Sequence, residues 1–279
     1  MMFSERICVI LSKMFSSIVS HPIERTIDEY CEHKFQTAKE LDKKIGSQIK
    51  FEHANVLDLG CGLGGQTVYF SSQDTNVTIG IDTKKKWIDA AKRYAIKRKA
   101  GKKVDFVQAN GADLPIKANS FDIIIMYDVM EHLPQANKVL EECKRVLKST
   151  GLLYIQFGPP WLNPYGGHLY AYIHIPWCHL IFSEKTIINV LKKRKSSSPI
   201  TEINHTITQF QNLSRMTIRR FRKVIKKIDL EEIFYEEKFN RKISFLRFFP
   251  LVKEFFVSNV SCIMKKRDRQ NEEVRKSNN

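Results

Sequence analysis

VLDLGCGLGG, residues 56–65, decides the fold. Its first four residues are a short apolar run, and they end abruptly in a cluster of glycines. That combination is a buried strand feeding a tight turn, with a helix expected from about residue 64 to 71. Gly60, Gly62 and Gly65 satisfy G-x-G-x-x-G, and Asp82 closes a second apolar run at 77–81. Taken alone, this spacing is a dinucleotide-binding fingerprint: the glycines let the backbone approach a ligand, and the acid grips ribose hydroxyls.

The same rhythm continues outward. Trp87, Ala91, Tyr94 and Ala95 recur at helical spacing, and Gly101 is placed to cap that helix. Residues 104–108 and 121–127 (FDIIIMY) read as the third and fourth strands, the fourth apolar almost throughout, as strands covered on both faces are. Val139, Leu140, Cys143, Val146 and Leu147 mark the next helix, ending at Gly151, and 152–157 is a fifth strand. Strands alternating with helices at this spacing predict an α/β fold with a parallel, doubly wound sheet and right-handed crossovers. Residues 22–45 read as a helix ahead of it.

Asp58 argues against a dinucleotide. It stands two residues before Gly60, where a carboxylate repels a pyrophosphate drawn to free N–H groups. It suits a cationic ligand, and S-adenosylmethionine (SAM) carries an ammonium, a sulfonium and a ribose for Asp82. Residues 58–64 read D-x-G-x-G-x-G, and 109–134 read ANGADLPIKANSFDIIIMYDVMEHLP. With these motifs the chain resembles the class I SAM-dependent methyltransferases, in the small-molecule branch that includes quinone-biosynthesis enzymes.

The resemblance covers about residues 50–160. It implies a Rossmann-like, seven-stranded sheet with the last strand antiparallel. Gly60, Cys61, Gly62 and Gly64 would line the methionine end, with Asp58 near the ammonium directly or through water. Asp82 would take the ribose hydroxyls and Thr83 would lie under the adenine. Asn110, Gly111 and Ala112 match the adenine-edge position, where the family usually has an acid in place of Asn110; its amide oxygen can accept from the adenine amine. Asp128 would stand where cofactor and acceptor meet.

After residue 157 the rhythm breaks. Residues 159–182 mix prolines, tyrosines, tryptophans and histidines at the carboxyl edge of the sheet, which suits an aromatic cap over an acceptor. His132 and His168 are candidate bases, the latter reached through a flexible Gly166-Gly167 approach; Tyr165 and His179 are candidate substrate contacts. Glu131-His132 also reads as a plain helix entry. His168, His174, Cys178 and His179 match no standard metal spacing, so no metal is expected. Pro159-Pro160-Trp161 follows the wrong strand, after Gly158, to be the Pro-Pro-aromatic signature of amino-methylating nucleic-acid enzymes.

The expected organisation is an N-terminal helical segment (1–48), a SAM-binding core (49–158), an inserted cap (159–229), C-terminal strands (230–265) and a flexible tail (266–279). Length 279 suits one large domain, and 43% hydrophobic with 27% charged residues excludes disorder as the main state. Six scattered cysteines without a CxxC pair fit reduced thiols. No secretory cleavage pattern follows the first apolar run, and a cytoplasmic location is expected.

The net charge of +16 concentrates at 84–103, with ten basic residues against one acid, and at 215–227, with seven against none. Both are outer faces of amphipathic helices, and both leave nucleic acid open as a partner. Residues 245–256 (FLRFFPLVKEFF) and the apolar amino terminus, both with basic neighbours, are expected to pack against the sheet, with a bilayer interface as the alternative. Methyl transfer to a small-molecule acceptor is the leading expectation. A tRNA or rRNA methyltransferase, an NAD-dependent oxidoreductase and a non-catalytic SAM-binding protein are the alternatives.

Overall fold

The computed structural model describes residues 3–15, 26–193, 203–239, 245, 248, 249 and 252–267. Side-chain alternation sorts its sheet into two buried faces. Strand β1 (Asn55–Leu59) sends Val56 to one face and Leu57 and Leu59 to the other. In the same way β4 (Phe121–Tyr127) divides Ile123 and Ile125 from Ile124 and Met126. β5 (Leu147–Phe157) divides Tyr154 from Leu153 and Ile155. A period of two with both sets apolar requires cover on both sides.

Helices supply it. On the Val56 face lie α2 (Ile27–Ile45), through Ala38, Leu41 and Ile45, and α3 (Gly65–Ser71), through Tyr69 and Phe70. On the Leu57 face lies α5 (Ala136–Val146), through Val139, Leu140 and Cys143. A capping box starts α2: the Glu29 N–H donates to Thr26 Oγ1 (3.3 Å), and the Thr26 N–H donates to the Glu29 carboxylate (2.7 Å).

With β2 (Val77–Asp82), β3 (Val104–Gln108), β6 (Leu230–Phe239) and β7 (Val257–Lys266), the seven strands run in the order β3-β2-β1-β4-β5-β7-β6. β1 to β5 are parallel; β7 is antiparallel to both β5 and β6, so it alone runs against the rest. This is the expected Rossmann-like sheet with its last strand reversed.

Several boundaries differ from expectation. Helix α4 (Lys85–Lys97) ends before Gly101, because Lys99 itself takes a left-handed φ of 52°. α5 stops at Val146 and β5 begins at once, so Gly151 lies within the strand. The helical segment before the sheet is not one unit: α1 (Phe3–Phe15) buries Cys8 among cap residues, while α2 covers the sheet.

The cap is shorter than expected. It comprises the loop after β5 with α6 (Cys178–Ile181), α7 (Glu184–Lys192) and α8 (Ile203–Asn212). α9 (Ile218–Lys227) was assigned to it by sequence, yet Ile218, Phe221, Val224 and Ile225 pack in the main core beside Phe157 and Val257. Its apolar stripe shows that a partner exists without saying which one, and the sheet claims it. The expected tail beyond residue 267 lies outside the described residues.

Candidate functional site

The glycine loop after β1 is held by β2. The N–H groups of Gly60 and Cys61 both donate to the Ile81 carbonyl, at 2.7 and 2.9 Å. Gly60 sits at φ 79°, and a Cβ there would come within 2.5 Å of Val129 Cγ2. Only glycine meets both conditions, a left-handed turn and a neighbouring wall already in place.

Past this loop, at the carboxyl edge of the sheet, opens a cleft of about 430 Å³. Its floor is Leu59, Gly60, Ile81, Asp82 and Thr83; Asn110 and Gly111 follow from β3, and Val129, His132 and Leu133 from β4. Six sequence candidates therefore meet in one cavity: Gly60, Asp82, Thr83, Asn110, Gly111 and His132.

Asp82 is fixed by backbone. Its Oδ1 accepts from the Lys84 N–H (2.9 Å) and its Oδ2 from the Gly62 N–H (3.2 Å). Each carboxylate oxygen has a second lone pair to offer. Asn110 behaves differently from expectation: its Oδ1 already accepts from the Ala112 N–H at 3.0 Å, closing an Asx turn, so an adenine amine would have to share that oxygen.

Asp58 does not face the cleft. It is 1% exposed, its Oδ2 accepts from the Thr67 hydroxyl at 2.6 Å, and burial pushes its carboxyl up to about 6. It ties β1 to α3 behind the loop. A direct contact with a ligand ammonium is therefore replaced by a carboxylate under the loop. Cys61, Gly64 and Ala112 likewise support the site without lining it. The Cys61 thiol turns back beside Gly80, Gly64 abuts Ala91, and Ala112 packs against the main core.

A second cluster stands behind His132, on the cap side. The rings of His132 and His168 meet edge to face with centroids 5.5 Å apart. Burial lowers both, His132 to about 3. Neither ring is charged near neutral pH. The Pro159 carbonyl hydrogen-bonds the His168 ring, while its Nε2 is buried without a hydrogen-bond partner. The carbonyl must therefore engage Nδ1–H, which leaves the Nε2 lone pair bare. His168 holds a left-handed φ of 55°, unusual for a non-glycine residue.

Asp128 belongs to this cluster and not to the cleft. It pairs with Lys34 of α2 at 3.0 Å, and its charge acts on both His168 and Glu131. Burial pulls Lys34 down, yet Asp128 outweighs it and the ammonium is held above its ordinary range. Glu131 is buried and pushed upward, with Oε1 accepting from the Gly158 N–H at 3.3 Å and Oε2 unpaired.

The remaining two candidates are structural. His179 is buried, with Nε2 against the Trp161 carbonyl at 2.7 Å and its ring 4.5 Å from that of Trp161. Tyr165 sets its ring beside Tyr170 and contributes its carbonyl to the His168 N–H at 2.9 Å. The Gly166-Gly167 approach is packed, not flexible: a Cβ at 166 would meet the Pro160 carbonyl at 2.4 Å, and one at 167 the His179 ring at 2.9 Å.

Sequence reasoning missed one wall altogether. His205, Thr208, Gln209 and Asn212 of α8 close the cleft from the cap. Lys84 bridges to it, with Nζ 2.9 Å from His205 Nε2 and 3.7 Å from the centre of the Trp87 ring. Trp87, read as a core residue, lines the cavity. The apolar spacing of α8 was its only signal, and that spacing does not say what the polar face looks at.

Known proteins match the same region. Residues 57–155 fit the family model described as "Methyltransferase domain". The sterol 24-C-methyltransferase of Pneumocystis carinii is 33% identical over 114 residues, 41% of this chain and 30% of that protein. The ubiquinone biosynthesis O-methyltransferase of Actinobacillus pleuropneumoniae is 32% identical over 104 residues, 36% of this chain and 43% of that protein. The chain thus spans less than half the length of these curated relatives.

Among solved structures, a SAM-dependent methyltransferase from Methanosarcina mazei matches with TM-score 0.52 and 18% identity, over 80% of this chain and 96% of that one. Another from Aquifex aeolicus gives 0.50 and 16%, over 82% and 97%. At such identities the structures speak for the fold, and the family match speaks for the sequence it covers. Residues 57–155 thus match a methyltransferase domain, and the sheet that holds them has the fold of the solved methyltransferases.

Proposed function

We propose that the protein transfers a methyl group from SAM to a small-molecule acceptor. The observation that carries the reading is Asp82. A carboxylate whose two oxygens are each anchored by one backbone N–H, at the floor of the cleft, keeps one lone pair per oxygen for a vicinal diol. The left-handed Gly60 turn keeps the loop clear of side chains beside it. Leu59, Ile81 and Trp87 give a nucleoside base apolar walls. These residues fit the ribose and base of SAM.

When bound, the sulfonium supplies an electrophilic methyl for in-line displacement. The chain's own contribution is position and proton handling. Holding donor and acceptor in line can supply about 7–11 kcal/mol of the barrier. His132 presents a neutral ring to the cleft and orients an acceptor hydroxyl. His132, the ring that lines the cleft, takes the acceptor's proton, and His168 stands behind it with its buried ring 5.5 Å away and holds its orientation. Neutral imidazoles can accept a proton at once; charged ones could not. The cap excludes water from this corner.

Small-molecule acceptors are supported by the relatives, which are named for sterol and ubiquinone chemistry. Incubation with methyl-labelled SAM and fractionated cell extract tests the proposal. Label is expected in an organic-soluble or small polar fraction. Label in RNA alone would replace the acceptor class. Calorimetry with S-adenosylhomocysteine and NAD tests the cofactor, and binding of NAD alone would overturn the reading.

A further inference from the structure

Within 245–256, four of the described residues do not pack against the sheet, while 253–256 are half-buried. Phe245, Phe248 and Phe249 are 58%, 76% and 55% exposed, and Val252 is exposed as well. In sequence, 238 to 247 carries four basic residues, Lys238, Arg241, Lys242 and Arg247, and no acid, while Lys253 further on is paired with Glu237 at 2.8 Å.

Two neighbours extend it. The Phe256 ring lies 6.1 Å from Trp177, which caps α6, and α6 exposes Leu180 and Ile181. Cys8 of α1 is buried in the same cluster as Cys178 of α6. The outer face of α1 presents Phe3, Arg6, Ile10, Lys13 and Met14, at helical spacing. Its one acid, Glu5, points inward to Asn189 and Lys193. Large apolar side chains interleaved with basic ones, and acids turned away, describe a surface made for an interface between hydrocarbon and negative charge.

We propose that this surface, formed by the outer face of α1, the tip of α6 and the stretch around Phe248-Phe249, docks on an anionic lipid bilayer. Among the described residues no helix is long and apolar enough to cross a membrane, so the contact is peripheral. Charge complementarity selects this occupant. A second copy of the chain would bring basic face against basic face, whereas an anionic bilayer accepts the phenylalanines and neutralises the rim. The inference does not depend on the catalytic reading, because vesicle binding is measured without turnover.

Flotation of the full chain with phosphatidylcholine vesicles, with and without phosphatidylserine, tests it. The protein is expected to rise with the anionic vesicles, to stay largely behind with neutral ones, and to be released as salt increases. Phe248→Ser with Phe249→Ser should lower the partition by about tenfold or more, from the apolar area they lose. Ile10→Ser with Met14→Ser should weaken it independently. Thermal midpoints close to that of the parent show that both variants fold. The proposal is overturned if the parent stays in solution with both vesicle types, or if both folded variants partition like the parent. It is equally overturned if light scattering finds a dimer that the Phe248/Phe249 variant loses while vesicles bind neither protein.

Discussion

Asp82→Asn separates the nucleoside reading from every reading in which Asp82 merely caps a turn. In the parent, both oxygens are engaged by backbone N–H groups, from Gly62 and Lys84. Asparagine keeps one acceptor oxygen and replaces the other with an NH₂ group. Whichever way the amide is oriented, one backbone N–H loses its partner and one ligand hydroxyl loses an acceptor. A hydrogen bond to a charged group contributes about 1.5–3 kcal/mol, so S-adenosylhomocysteine should bind roughly 10- to 150-fold more weakly. Titration calorimetry on both proteins measures this. The 2′-deoxy analogue of the ligand provides the control. It should bind the parent less well than the full ribose, and the gap should shrink in the variant, because the two losses share one interaction. A variant that is folded and within about threefold of the parent for both ligands would refute the placement of the ribose on Asp82.

His132→Asn should reduce turnover by about 10²–10⁴-fold, since it removes the proton acceptor that lines the cleft. His132, lowered to about 3 by burial, should show no imidazole titration by NMR between about pH 5 and 8. Its depressed folded value means that its contribution to stability is present above the unfolded value and is lost as pH falls below it. Asp58 runs the opposite way. Its folded value, raised to about 6 by burial, means that the ionised form weakens the fold. Stability from this group should therefore rise by up to about 3 kcal/mol as pH falls from about 7 to 4, and Asp58→Asn should flatten that part of the denaturation profile. Gly60→Ala places a Cβ 2.5 Å from Val129 Cγ2 in a left-handed turn, and should cost about 2–5 kcal/mol in chemical denaturation. Adding Val129→Ala should recover the steric part and leave about 1–2 kcal/mol of backbone strain.

The parts legible in sequence are those fixed locally. Alternation along FDIIIMY, the glycine string and Asp82 at a strand end each depend on a few neighbouring residues, and the sheet and the floor of the cleft follow from them. The parts that escaped depend on distant contacts. Lys34 reaches Asp128 across 94 residues, and α8 returns to the cleft after the whole cap has been built. No spacing rule encodes either meeting. α9 lies between these cases: its stripe required a buried partner, and only the packed structure identifies the sheet as that partner.

Asp58 lies buried behind the loop, and a local signal for that placement is present in the sequence. Along β1 side chains alternate, so position 58 must share the face of Val56, and that face is covered by α2 and α3. Parity alone sends the carboxylate to Thr67, behind the loop. The motif nevertheless keeps an electrostatic meaning. A second carboxylate, Asp82, stands at the cleft floor close enough for the two to raise each other's cost of ionisation, as the effect of Asp82 on Asp58 records. Cations nearby relieve that cost and anions increase it, by the same Coulomb interaction. Under the proposed reading, the two acids beside the glycine turn favour a cationic nucleoside over a diphosphate. Asp58→Asn should accordingly weaken S-adenosylhomocysteine binding less than Asp82→Asn does, because only Asp82 lines the cleft.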